Sequence, residues 1–163
     1  VNSFSKTFGM TGWRLGYLIC PPWATEAVDG LAGNLYICAP AVAQEAGAAC
    51  FQPEVWDEVE RRRQEFQTRR DLLVDGLRNA GFGVPVVPQG AFYVYARIPE
   101  VFGGIHTEDF CTQVLDDTGV AFAPGTDFGT YQATEHVRFS YTCSTDDIIE
   151  GIRRLDDYVA SRR

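Results

Sequence analysis

The run from Pro53 to Gly81 constrains the fold more than any other part of this sequence. Val55, Trp56, Val59, Phe66, Leu73 and Leu77 recur at roughly helical spacing, which places them on one apolar stripe of a helix. A proline at the start fits the first helical turn, where a missing N–H leaves nothing unsatisfied. Gly81 fits the position just past the end, where the backbone turns left-handed. The spacing therefore predicts one long helix running from Pro53 to about Ala80. Such a stripe must be covered by other elements, and the flanking sequence supplies both helices and strands.

Further helices are expected over 23–33 and over AVAQEAGAACF after Pro40, which is well placed as a first helical residue. Thr107 can cap another, with Glu108 and Asp109 in its first turn, favourable for the helix dipole. Ser144 or Thr145 caps the last, with Ile148, Ile149, Ile152, Leu155 and Val159 on its apolar face. WRLGYLIC (13–20) reads as a short buried strand ended by Pro21-Pro22. Strands are also expected near 84–87, over AFYVYARI (91–98), over 120–123 and over HVRFSYT (136–142). The pattern is mixed α and β, with no internal repeat.

Composition excludes several functions. A net charge of −8 and a pI near 4.7 argue against nucleic acid as the main partner, because phosphate contacts need clustered cations. No apolar run approaches membrane-spanning length, so no membrane partner is expected. The first fifty residues carry two cations (Lys6, Arg14) and three acids, and the remainder twelve cations and nineteen acids. That shift fits a central buried layer giving way to a more exposed subdomain. Five cysteines, an odd number with no CxxC spacing, suggest neither a disulfide framework nor a zinc site. Reduced, mostly buried thiols in a cytoplasmic protein are expected. His106 and His136 lack ligand-spaced partners and read as surface or strand-end residues, so no metal is expected. Glu60-Arg61-Arg62-Arg63 reads as a solvated helix face, with Asp57 and Glu65 in reach.

The chemistry concentrates at the sole lysine. Lys6 lies in Asn2-Ser3-Phe4-Ser5-Lys6-Thr7-Phe8-Gly9-Met10-Thr11-Gly12-Trp13-Arg14-Leu15-Gly16, while every other cation is an arginine. An amine forms a Schiff base with a carbonyl; a guanidinium never deprotonates and does not. From the lysine alone, a surface charge explains it equally well. Its neighbours add to the case. Ser3 and Ser5 bring hydroxyls, the loop brings N–H donors, and Arg14 brings a planar cation, together a grip for phosphate. The loop lacks the Gly-x-x-x-x-Gly-Lys pattern of nucleotide-binding loops. A ligand with a carbonyl for the lysine and a phosphate for the arginine is pyridoxal 5′-phosphate.

SFSKTFGMTGWRLGY resembles the lysine motif of the fold-type I, aspartate-aminotransferase-like pyridoxal-phosphate enzymes. The resemblance covers nearly the whole chain. Pro88-Gln89-Gly90-Ala91-Phe92-Tyr93-Val94 is similar to the family's P-x-GAFY strand, and Ala123-Pro124-Gly125-Thr126-Asp127-Phe128-Gly129 to its PG-x-x-F loop. His136-Val137-Arg138-Phe139-Ser140-Tyr141 is similar to the strand that carries the substrate arginine. The resemblance implies that Lys6 holds the cofactor as a Schiff base and then shuttles a proton. It implies that Ser3 and Arg14, with Ser5 beside them, bind the cofactor phosphate. Strand alternation adds a local argument for Arg138. It puts Arg138, Ser140 and Thr142 on one face and Val137, Phe139 and Tyr141 on the other, so Arg138 can hold a carboxylate through paired hydrogen bonds. Local sequence alone favours an arginine on a solvated strand face; the resemblance implies the substrate role.

The implied fold is α/β, the C-terminal part of a pyridoxal-phosphate-dependent transferase. Residues 1–50 would end the large cofactor-binding domain, and 51–163 would form the small domain with the long connecting helix. The family's ring-clamping aspartate, its group at the 3′ oxygen and its small-residue phosphate loop have no counterpart here. With Val1 in place of an initiator methionine, that absence leads us to expect a fragment. The implied activity is transfer of an amino group between an amino acid and a 2-oxo acid, in a homodimer. Burial and Arg14 would keep the Lys6 amine neutral when it is released. A carbon–sulfur lyase shares all these residues, and an effector-binding domain of a transcription regulator shares the fold. Phe92, Tyr93 and Phe128 are candidates for pocket or core, and Tyr36 for a loop near the partner subunit's site.

Overall fold

The computed structural model describes every residue from Val1 to Arg163. The chain divides into two compact units, Val1–Arg63 and Gln64–Arg163. The division falls inside one continuous helix, Pro53–Asn79.

In the first unit, β1 (Asn2–Ser3) and β2 (Gly16–Tyr17) form an antiparallel pair, with Asn2 opposite Tyr17 and Ser3 opposite Gly16. The approach is tight at Gly16, where an added Cβ would lie 2.9 Å from the Asn2 carbonyl oxygen. Two helices follow, α1 (Pro22–Leu35) and α2 (Ala41–Ala49), and then α3 (Pro53–Asn79) begins. Pro40 stands just before α2 as its cap rather than as its first residue. The unit's core is small: Phe4, Met10, Leu15, Ala43 and Cys50, with Phe8, Ala39 and Ala46 against it. Rings extend it edge to face, Phe4 and Phe8 on Phe51 and Phe8 on Trp56.

The buried strand expected over 13–20 does not form as such. Only Gly16–Tyr17 pairs, Leu15 is buried, and Leu18 and Ile19 are 47% and 83% exposed. A strand buried on both faces needs neighbours, and β1 is the only strand beside this one. Helix α1 likewise buries none of its residues.

The second unit packs the rest of α3, α4 (Thr107–Thr118) and α5 (Thr145–Ala160) with a three-stranded antiparallel sheet. Its strands are β3 (Tyr93–Arg97), β4 (Ala123–Pro124) and β5 (His136–Ser140), in the order β3-β5-β4. Val94, Ala96, Val137 and Phe139 point to one face and join Leu73, Leu77, Phe110, Val114, Leu155 and Val159 in a single core. Local chemistry sets the helix ends. Gly81, at φ +97°, turns α3 off, and the Phe82 N–H reaches back to the Leu77 carbonyl. Ser144 accepts the Asp147 N–H at 3.1 Å and so caps α5. Thr107 does not cap α4: His106 holds that position, and Thr107 is a buried first residue.

The remaining strands are shorter than expected. Residues 84–87 form none; a lone bridge joins Gly83 to Arg97, and Val86 is 71% exposed. Pro85 and Pro88 remove the donors a ladder would use. The cysteines also differ from expectation. Cys50 alone is buried, while Cys38 and Cys143 are exposed, because both lie in turns outside either core. The arginine run is the solvated helix face expected, but Arg61 and Arg62 pair with Glu58, and Arg63 with Glu60.

Candidate active site

The lysine loop folds over Phe4, which is 6% exposed. The Phe4 N–H donates to the Leu15 carbonyl at 3.2 Å, and the Met10 N–H to the Phe4 carbonyl at 3.3 Å. Burial of Phe4 and Met10 fixes both ends of the intervening turn. Lys6 sits at the start of that turn, its carbonyl accepting the Gly9 N–H, with Gly9 at φ +67°. The Thr11 hydroxyl donates to the Ser5 carbonyl at 3.0 Å and ties the two limbs together. The Lys6 side chain is exposed. The burial expected around its amine is therefore not supplied by residues of this chain.

Of the expected phosphate-type donors, Ser3 and Ser5 come together. The Ser3 hydroxyl lies 2.9 Å from the Ser5 hydroxyl and accepts the Ser5 N–H at 3.1 Å. Arg14 ends the short 3₁₀ turn Thr11–Trp13 in the left-handed region, at φ +52°. That conformation costs a non-glycine residue about 1–2 kcal/mol. Such strain persists only where the surroundings enforce it; here one guanidinium nitrogen bonds the Thr11 carbonyl at 2.8 Å. Ser3 and Arg14 are both exposed, so their polar atoms are accessible to an anion.

Arg138 lies in the second unit on β5, the central strand, opposite Tyr95 of β3 and Ala123 of β4. It is half-buried, on the face away from the core. Its guanidinium carbon lies 4.0 Å from the centroid of the Tyr93 ring and 3.8 Å from that of Phe128. The cation thus lies over two aromatic rings, an arrangement favoured by the ring quadrupole.

Each ring is itself anchored. Tyr93 follows a turn in which Ala91 adopts φ +59°, and the buried Tyr141 donates its hydroxyl to the Ala91 carbonyl at 3.0 Å. Phe128 ends the 3₁₀ turn Gly125–Phe128. The Thr126 hydroxyl of that turn donates to the Glu108 carboxylate at 2.5 Å. This bond is the main reason the Glu108 carboxyl lies below its ordinary value. At Gly125 an added Cβ would sit 2.4 Å from the Ala133 carbonyl oxygen and 2.5 Å from that of His136.

Sequence reasoning left Tyr93 and Phe128 undecided between pocket and core, and gave Glu108 only a dipole role. Strand alternation already puts Tyr93 on the face of Arg138; the arrival of Phe128 from a turn has no local signal. His136 is the strand-end residue expected, the first of β5, and is buried there. It is 7% exposed, stacks on Tyr95 at 5.0 Å, and its Nδ1 lies 2.8 Å from the Gln132 carbonyl oxygen. Phe92 packs against the core, and Tyr36 is 66% exposed just past α1.

One loop of this α/β chain thus carries a lysine, a pair of hydroxyls and an arginine, groups able to meet a carbonyl and an anion. The chain belongs to the family of class I and II aminotransferases, whose model matches residues 1–155. It is 42% identical to the valine–pyruvate aminotransferase of Mycobacterium tuberculosis, over 99% of this chain and 41% of that protein. It is 36% identical to the aspartate aminotransferase of Sulfurisphaera tokodaii, over 98% of this chain and 40% of that one. Among solved structures, an aminotransferase from Mycobacterium tuberculosis superposes with a TM-score of 0.91 at 43% identity, over 99% of this chain and 41% of its own. The aromatic aminotransferase of Pyrococcus horikoshii gives 0.87 at 34% identity, over 98% of this chain and 42% of its own. The chain thus spans about two fifths of the length of these relatives, and its fold is that of the C-terminal part of the pyridoxal-phosphate-dependent transferases.

Enzymes of this family depend on pyridoxal 5′-phosphate. The residues around Lys6 fit that group. Two hydroxyls 2.9 Å apart can donate to phosphate oxygens, an exposed guanidinium can pair with a phosphate, and the exposed Lys6 lies on the same loop as both.

Proposed function

We propose that this chain serves an aminotransferase that moves an amino group between an amino acid and a 2-oxo acid. The observation that carries the reading is the loop itself, which holds the sole lysine between a serine pair and a strained arginine. Bound pyridoxal phosphate supplies an electron-withdrawing ring that makes the substrate Cα proton removable. Ser3, Ser5 and Arg14 bind its phosphate. The Lys6 amine would hold the cofactor through its carbonyl carbon and, when free, would accept and return the substrate Cα proton. Arg138 binds the α-carboxylate and fixes the orientation of the Cα–H bond.

Residues 1–50 belong to the cofactor side and 51–163 to the substrate side. The protein works as a homodimer in the cytoplasm; no helix is long and apolar enough to cross a membrane. Relatives named for valine–pyruvate, aspartate and aromatic amino acids match the same stretch. That supports assigning common chemistry, rather than side-chain choice, to this chain.

The test is borohydride reduction of the full-length protein carrying pyridoxal phosphate, followed by peptide mass mapping. The adduct is expected on Lys6. Lys6→Ala is expected to abolish turnover while leaving some cofactor binding through the phosphate. An adduct on another residue refutes the assignment.

A further inference from the structure

We propose that Tyr93 and Phe128 are positioning residues for Arg138, which together make its site selective for a flat carboxylate over a tetrahedral anion. The inference rests on the reading of Arg138 as the substrate anchor and adds what its surroundings do.

The guanidinium is planar, and all its N–H donors point outward in that plane. The guanidinium carbon stands over the Tyr93 ring at 4.0 Å and over the Phe128 ring at 3.8 Å. Two rings this close to one flat cation are accommodated by stacking on its opposite faces, and we infer that both faces are covered. Only the rim is left for a ligand. A carboxylate is also planar and can lie in the same plane with two parallel hydrogen bonds. A sulfonate or phosphonate has at least one oxygen out of that plane. That oxygen would meet an aromatic face, whose quadrupole is negative.

The clasp is built before any ligand arrives. Tyr93 is set by the β3–β5 register and by the Tyr141 bond to Ala91. Phe128 is set by a turn with no room at Gly125 and by the bond between Thr126 and Glu108. Phe128 is also 47% exposed, so its ring contributes little to the core and its contact with Arg138 stands out. A single aromatic neighbour would let the guanidinium tilt; two opposed rings hold it.

The experiment uses the full-length protein loaded with pyridoxal phosphate. A 2-methyl amino acid, which has no Cα proton to lose, is titrated and its binding is followed by cofactor absorbance. The matched aminosulfonate is titrated alongside. Phe128→Leu and Tyr93→Leu are expected to weaken carboxylate binding roughly threefold to thirtyfold and to narrow the preference over the sulfonate. Phe128→Tyr and Tyr93→Phe, which keep the rings, restore both. Cofactor affinity stays the same in all four. If Tyr93→Leu fails to fold, Phe128→Leu carries the test, since its ring is largely outside the core.

Leucine variants with unchanged affinity and unchanged preference overturn the clasp, provided that Arg138→Ala does lose carboxylate binding. If Arg138→Ala loses nothing, the anchor reading fails and the clasp fails with it. The two failures are thus told apart in one set of titrations.

Discussion

Gly125→Ala is the sharpest single perturbation this structure offers. The added methyl would lie 2.4 Å from the Ala133 carbonyl oxygen, 2.5 Å from the His136 carbonyl oxygen and 2.6 Å from the Tyr95 hydroxyl. Carbon and oxygen in ordinary contact stand well over 3 Å apart, so each overlap approaches an ångström. A tyrosine hydroxyl can swing away; two backbone carbonyls cannot without moving the 3₁₀ turn Ala133–Glu135 and the start of β5. Overpacking typically costs about 1–3 kcal/mol, and the two rigid obstacles put this case near the upper end, about 3 kcal/mol. The turn also carries Phe128, so relief of the clash shifts one wall of the Arg138 clasp. Equilibrium unfolding in urea, followed by far-ultraviolet circular dichroism, reads the stability loss. Gly151→Ala is the matched control: it lies within α5 with nothing within 4 Å of the new methyl. It is expected to stabilise by roughly 0.5–1 kcal/mol, as alanine does over glycine in a helix. Equal midpoints for Gly125→Ala and the parent protein would refute the argument.

Two further outcomes follow from the site. Arg138→Ala is expected to weaken amino-acid binding about tenfold to a hundredfold, the range for charged hydrogen bonds, with cofactor affinity unchanged; equal kcat/KM for variant and parent would make the arginine structural. Glu108 gives a pH dependence. Its folded value lies below the ordinary 4.5, chiefly through the Thr126 hydroxyl, so its contribution to stability is full above about pH 4.5 and is lost as pH falls through the folded value. Thr126→Val is expected to flatten that part of the acid unfolding curve; an unchanged slope below pH 4.5 shows that the bond does not matter.

The helices were legible in the sequence because their signals are local. α3 runs from Pro53 to Asn79, close to its predicted limits, and Leu73 and Leu77 are buried as the period required. Even there the pattern overreached in α5, where Ile149 was placed on the apolar face and is 51% exposed. Strands were less legible because what pairs with them is distant in sequence. β-branched residues at 84, 86 and 87 suggested a strand that two prolines prevent. The apolar run at 13–20 suggested burial, which depends on neighbours that the run does not encode. The site divides in the same way. Lys6 and Arg14 are proposed from chemistry written in one short motif. The clasp around Arg138 joins residues 93, 128 and 138, and no local window contains all three.

The alternation along β5 has a consequence for how the molecule is made. Val137 and Phe139 point into the core and Arg138 points away from it, while strands on both sides pin the register. A slip of one residue would exchange the faces, driving the arginine into hydrocarbon and two large apolar groups into water. A molecule with Arg138 misdirected is therefore unstable, and unfolds before it can persist. The same hydrophobic pattern that builds the sheet thus proofreads the aim of the one side chain on that strand assigned to bind substrate.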